Sequence, residues 1–464
     1  MSFFPTDSRA AIHGPGLDAD MSRCNTPRRD TPRVDMPTTN TPPAMRTLEA
    51  REKPATVEAG ASRRQWMANW GSLAAGCLAA GSLGTATAIE MARAADDAAP
   101  GNGVLDRTTS IKLTRLTATP VARKVFLKLE TNLGVTGWGE IDQLETKVAA
   151  TLARSLFELL DGENPTRIEY LWQKIYRSHR DMRGGPFMTH TLAGIDMALW
   201  DITGKLWGVP VHRLLGGPAR DKVLMYPTPK ATKVGAGPQP FSATPQLIEQ
   251  HVRNIENARK QVGPDGIVMF DAHCALPPPF LIQLAAAIKP YDVLYIEEPA
   301  VPGNIEVFKR LKQHIPIPLA VGEQARTIWE VITYLQEGCA DILQVDCAHT
   351  GGISQMRKIA TLGEAYQVPL APHCVTSDLG ATASLHVSAA IPLFLIHEYY
   401  PSISPPKLVR KDWTIDKDGY ASLPNLPGIG CEIDEGQLAE LAKNPSPPEW
   451  PTRGRLPDGS ISDY

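Results

Sequence analysis

The chain has 464 residues, 43% hydrophobic and 21% charged, with a formal net charge of −3. This is enough apolar material for one large core or for two domains that share an interface. The charge supplies no basic field for a phosphate backbone, and no Lys/Arg run is interleaved with aromatics, so nucleic acid is excluded as the expected partner in favour of a small molecule. Seven cysteines occur without any C-x-x-C pair. Cys274, Cys339, Cys347 and Cys374 lie in or beside apolar strand-like runs and read as buried thiols, not as a disulfide framework or a zinc site.

Residues 1–60 are rich in Pro, Thr, Arg and Asp and show no apolar period, a composition that cannot offset its ordering entropy; a disordered extension is expected there. Arg63-Arg64, a weakly apolar stretch and Ala92-Arg93-Ala94-Ala95 follow in the order of a twin-arginine export signal over 61–95. That reading implies a cleaved leader and a periplasmic enzyme without a stable membrane span; a non-functional leader would leave it cytoplasmic. The length ahead of the arginines makes Met45 an alternative start.

From about residue 110 the pattern becomes globular. Residues 110–120, 123–132 and 135–141 alternate as three strands with a turn at Gly134, predicting a small antiparallel sheet. Helical stretches follow near 145–160, 166–180 and 189–206, the last with one apolar face marked by Leu192, Ile195, Leu199 and Ile202. Together they form an α+β unit.

A different rhythm then begins. Short apolar runs end in Asp271, Glu297, Glu323, Asp346, His373 and Glu398, spaced 26, 26, 23, 27 and 25 residues apart, with helical patterns between them. A strand, a helix and two short loops need that length, so the unit is βα and the sheet is parallel. At least six units in series, with no G-x-G-x-x-G turn, favour a closed barrel over an open doubly wound sheet. The carboxyl ends of barrel strands converge on one rim, which brings these six residues into one site. So many acids repel one another unless a cation neutralises them.

Asp271, Glu297 and Glu323 offer three hard oxygen donors, which suits Mg²⁺. Asp346 and His373, on the next two strands, suit a dyad in which the carboxylate orients the imidazole for proton transfer. His273, two residues beyond Asp271, is placed as an acid facing the substrate. His349, His386 and His397 read as structural, and Glu298 as a partner behind the site. Arg123, Trp138 and Arg183 are candidate substrate contacts from the preceding unit.

The motifs "FDAH", "IEEP", "QVD", "HTGGI", "APHC" and "HE", with "GVTGWGE" and "GIDMALWDITGKLWGVPVHRLLGG" before them, occur in the order of the enolase superfamily. The chain resembles its mandelate racemase and muconate lactonizing branch, and within it the D-galactonate dehydratase-like proteins, which share "RGGP". The resemblance covers roughly residues 110–440. It implies a modified TIM-type (β/α)7β barrel (219–399) with an N-terminal α+β capping domain (110–218) completed by residues 400–445. It also implies Asp271, Glu297 and Glu323 as Mg²⁺ ligands, His373 with Asp346 as general base, and Glu398 as partner of the substrate carboxylate.

The activity implied is dehydration of a galactonate-like sugar acid. His373 removes the α-proton to give a metal-stabilised enediolate, His273 protonates the departing β-hydroxyl, and a 2-keto-3-deoxy acid results. Expected partners are the sugar acid and further copies of the chain. A racemase of this family usually carries Lys-x-Lys on the second barrel strand; this chain has Lys230 and Lys233, which point to opposite faces of a strand and so favour elimination. The Pro/Gly-rich segment 227–245 reads as a loop near the rim. The rival readings are an epimerase or cycloisomerase, a metal-free glycosidase, and an exported sugar-acid binding protein.

Overall fold

The structure is a computed structural model, and it describes residues 110–237, 244–405, 407–443 and 459–461. The expected extension and export leader lie outside the described residues. No helix among the described residues is long and apolar enough to cross a membrane.

Strands β1 (Leu113–Val121), β2 (Lys124–Thr131) and β3 (Thr136–Asp142) form an antiparallel sheet in the order β1-β2-β3. Helices α1 (Thr146–Phe157), α2 (Ile168–Ser178) and α3 (Pro186–Trp207) follow, with a short α4 (Val211–Leu214). The single apolar face expected of α3 understates its burial: it is buried almost all round, because it lies between the cap sheet and the barrel. Close approach of its backbone to β3 is possible only because Gly139 and Gly194 lack side chains. A Cβ on Gly139 would lie 1.8 Å from the Gly194 carbonyl oxygen.

Two buried acids on α3 then find backbone partners across the junctions. Asp196 accepts from the Ser354 amide at 3.0 Å and from its hydroxyl at 2.5 Å. Asp201 accepts from the amides of Trp138 and Ile429, both at 2.9 Å, and pairs with Lys205.

The barrel strands are β4 (Lys222–Tyr226), β5 (Ala231–Gly235), β6 (Ile267–Asp271), β7 (Val293–Glu297), β8 (Leu319–Val321) and β9 (Ile342–Leu343), then the extended stretch at Leu370, and finally residues 394–398 with β10 (His397–Glu398). β5 to β9 make a parallel ladder; parallel bridges Leu343–Leu370 and Leu370–Phe394 continue it, and β10 pairs with β4. The ring is not closed by a full ladder. Among the described residues β4 leads into β5 through a tight turn closed by the antiparallel bridge Thr228–Ala231, in place of a crossover helix.

Helices α5 (Pro245–Val262), α6 (Pro278–Ile288), α7 (Ile305–His314), α8 (Ile328–Gln336), α9 (Gly352–Ala365) and α10 (Asp378–Ala390) follow the later strands. Strand β5 corrects the reading of 227–245 as loop throughout. Pro227 and Pro229 before it, Gly235 at its end, Gly237 after it, and one charged inward residue hide its alternation in the sequence.

The chain's end returns to the cap side. β12 (Tyr420–Ser422) pairs with the outer edge of β4, β11 (Val409–Lys411) pairs with β13 (Cys431–Ile433), and α11 (Glu435–Lys443) packs on β1. The cap is locked over the barrel by Glu140 of β3. Its carboxylate accepts from the Ser377 amide at 2.9 Å, the Ser377 hydroxyl and the Gly380 amide, buried donors at the N-terminal turn of α10. That contact sits four residues beyond His373.

Candidate active site

Side chains alternate across a strand, so inward positions recur every second residue. Ala231, Met269, Tyr295, Ala320, Ile342, Ala371 and Ile396 pack with Tyr226 in one buried cluster that fills the barrel. Two residues beyond members of that set stand Lys233, Asp271, Glu297, His373 and Glu398. Glu323 follows Gly322, which turns the chain at φ 139° past the end of β8, and Asp346 follows β9 by three residues. The rim expected from the spacing is thereby assembled from six strand ends.

Its geometry falls into two halves. In the first, His373 Nδ1 lies 2.7 Å from Asp346 Oδ2, while Asp346 Oδ1 accepts from the Ala348 amide at 2.6 Å. His373 Nε2, the free edge of the ring, is 3.7 Å from Glu323 Oε2 and 3.9 Å from Glu398 Oε2. Burial opposes charge on this imidazole, but Glu323, Asp346 and Glu398 outweigh it and hold its pKa well above the ordinary histidine value. Asp346 is buried too, yet His349 and His373 keep its carboxyl below the usual range.

In the second half, Lys233 Nζ is 2.8 Å from Glu297 Oε1, 2.8 Å from Glu398 Oε1 and 3.3 Å from Asp271 Oδ2. Reading the Lys230/Lys233 pair only for its spacing missed this residue. Lys230 does point outward, to Asp418 at 2.7 Å, and Lys233 therefore points inward. The signal that would have found it is Ala231, its partner in the two-residue alternation. Glu398 also accepts from the Cys374 amide at 3.0 Å; burial raises its pKa, but Lys233 and His373 prevail and bring it to about 2. Glu297, fully buried, is pushed up to about 8 by that burial despite Lys233, with Asp271 and Glu398 adding repulsion. Burial and neighbouring acids likewise hold Glu323 well above the carboxylate range.

His273 stands at φ 45°, its amide donating to Asp271 Oδ1 at 2.9 Å. It lines a cavity of about 1030 Å³ between barrel and cap, together with Glu323, His349, Arg326, Arg123 and His190. His349 therefore belongs to this site and is not merely structural: its Nδ1 donates to the Glu323 carbonyl at 3.0 Å, and it stacks on His190 at 4.3 Å. His386 and His397 are satisfied core histidines, bonded to the Ile429 carbonyl and to the Ser384 hydroxyl, both at 2.9 Å. Glu298 supports the rim from behind, accepting from Gln324 Nε2 at 2.9 Å, the Cys274 thiol and the Gly322 amide. Of the three cap candidates Arg123 lines this cavity; Trp138 lines a separate hollow with Lys205, Arg410 and Glu432.

Residues 104–216 match the mandelate racemase / muconate lactonizing enzyme N-terminal domain, and residues 226–437 match the enolase C-terminal domain-like family. The chain belongs to the enolase superfamily. Among relatives of this superfamily member, a D-galactonate dehydratase of Ralstonia pickettii is 34% identical over 76% of this chain and 100% of its own length. A D-galactonate dehydratase family member of Streptomyces bingchenggensis is 32% identical over 77% of this chain and 98% of its own. Among solved structures, an enolase from Agrobacterium radiobacter, described as a candidate galactarate dehydratase and bound to sodium and L-malate, superposes on the superfamily member with a TM-score of 0.68. It is 31% identical and covers 76% of this chain and 99% of its own.

Proposed function

We propose that this enolase superfamily enzyme is a magnesium-dependent hydro-lyase that dehydrates a sugar acid to a 2-keto-3-deoxy acid. The observation that carries the reading is the His373–Asp346 dyad, its Nε2 turned toward Glu323, which lines the cavity, and toward Glu398. The D-galactonate dehydratase relatives support the substrate class.

The residues present fit a divalent cation. Glu297 Oε2 is buried without a hydrogen-bond partner among the described residues, and Lys233 is the one cation set against the carboxylates of Asp271, Glu297 and Glu398 among the described residues. Asp271, Glu297 and Glu323 would hold it through hard oxygens, as magnesium prefers. Asp346, His349 and His373 also bring donor atoms within 4.8 Å of one another, but the dyad hydrogen bond already occupies two of them. The cation would supply Lewis-acid neutralisation of the substrate carboxylate and would relieve the field of Glu323 that keeps His373 protonated.

The chain's own side chains do the rest. His373 Nε2 accepts the α-proton, and Asp346 accepts the hydrogen bond from Nδ1–H and stabilises the imidazolium that forms. The α-carbon's electron pair then forms the double bond to the β-carbon, whose hydroxyl leaves as water on receiving a proton from His273, and the enol so formed loses its hydroxyl proton and gains one at the β-carbon to become the 2-keto-3-deoxy acid. Lys233 holds Glu398 and Glu297 apart from one another's charge, so that Glu398 is fixed as a partner for the substrate carboxylate.

Incubating the enzyme with magnesium and a panel of aldonic and aldaric acids should yield 2-keto-3-deoxy product; recovery of only epimerised or unchanged acid would exclude dehydration. His373→Asn should bind ligand yet lose exchange of the α-proton with heavy water. Undiminished exchange in that variant would remove His373 from the role of base.

A further inference from the structure

Besides Glu323, the cavity is lined by basic side chains. Arg123, Lys124, His190 and Arg326 are among them. Lys124 is committed: it is buried against Asp142 and lies 3.1 Å from Glu140, so it adds no free charge. His190 is neutral, because burial and then His349 and Arg326 depress its pKa to about 3; its Nδ1 donates to the Asp142 carbonyl at 3.0 Å, which leaves Nε2 as an acceptor.

Arg326 differs. It stands three residues beyond Glu323, in the turn before α8, where its amide donates to Glu330 Oε2 at 2.9 Å. Its Nη1 is 3.9 Å from that same oxygen, too far for a hydrogen bond. Its Nε is buried and has no hydrogen-bond partner among the described residues. A permanent cation with a buried, unused donor is costly, and such a group persists where a ligand supplies the acceptor. The guanidinium fork matches a carboxylate or a phosphate better than a hydroxyl.

We infer that the physiological substrate carries a second anionic group at the end remote from the reacting carboxylate, held by Arg326, so that it is a sugar diacid or a terminally phosphorylated sugar acid and not a simple aldonate. The inference rests on the dehydratase reading for the reacting end, and Arg326 is a specificity residue, not part of the proton transfer. His190 Nε2 accepts a substrate hydroxyl beside it. The cavity volume of about 1030 Å³ accommodates a ligand that reaches from Glu323 to Arg326.

The test is calorimetric binding of galactonate, galactarate and a terminally phosphorylated aldonate to the full chain with magnesium, for the wild type, Arg326→Met and Arg326→Lys. The wild type should bind one of the two dianions at least about tenfold more tightly than galactonate, and the stronger of them identifies the group. Arg326→Met should bring that ratio toward one, and Arg326→Lys should retain part of it. Equal or tighter binding of galactonate by the wild type, a ratio unchanged in Arg326→Met, or no measurable binding of any of the three overturns the inference. Product analysis of the same mixtures separates the two claims: a dianion preference that depends on Arg326, with no 2-keto-3-deoxy product, upholds Arg326 and defeats the dehydratase reading.

Discussion

Lys233→Met removes the one ammonium among three rim carboxylates while keeping a side chain of similar length. With an effective dielectric near 20, a pair of unit charges about 4 Å apart attracts by about 4 kcal/mol. The contacts here are 2.8, 2.8 and 3.3 Å, against which stands the desolvation of a lysine almost wholly buried. Breaking a buried pair by removing one partner typically costs about 3–5 kcal/mol, because the remaining charges are left uncompensated.

At roughly 1 °C per kcal/mol for a chain of this size, the metal-free variant should melt about 3–5 °C below the wild type. The same change removes a cation that repels any dication bound at Asp271 and Glu297, so magnesium affinity should rise about tenfold or more. Scanning fluorimetry in chelator and magnesium titration by calorimetry read the two effects separately. A metal-free variant that melts within about 2 °C of the wild type, together with unchanged magnesium affinity, would falsify the assignment of Lys233 as the internal counter-ion.

Three further outcomes are expected. Asp346→Asn should lower kcat by about 10²–10⁴-fold with little change in KM, since it leaves the His373 ring without its orienting anion; a loss under threefold in steady-state assays would remove Asp346 from the dyad. Asp196 has its pKa raised to about 7 by burial, so the native state binds a proton between about pH 4 and 7 that the unfolded state has released. Stability should therefore fall as pH rises through that window, by up to roughly 4 kcal/mol, and level off above it; denaturant titrations should show Asp196→Asn without this slope. Gly139→Ala places a Cβ 1.8 Å from the Gly194 carbonyl oxygen, which forces β3 off α3; thermal melts should show a loss of about 3 kcal/mol or more, and a neutral result would mean the close approach is not needed.

The six strand-end residues were legible in sequence because a βα repeat sends every carboxyl end to one rim, whatever the intervening sequence. The dyad was legible for the same reason: neighbouring strands bring Asp346 and His373 to 2.7 Å although 27 positions separate them. What the repeat could not convey was depth. Lys233 belongs to a five-residue strand flanked by prolines and glycines, which hides the alternation with Ala231, and its inward direction is fixed by the register that pairs it with Met269 of β6. The role of His349 was hidden because it depends on the turn after β9 laying its ring between His190 and His373, a contact between cap and barrel.

The sequence by itself determined the cap, the barrel and which residue types crown it, since hydrophobic period and spacing are local properties of the chain. Only the tertiary structure decided how charge is shared among those residues. That depends on distances of 2.8 to 3.9 Å between side chains from different strands, and on which of them the fold removes from water.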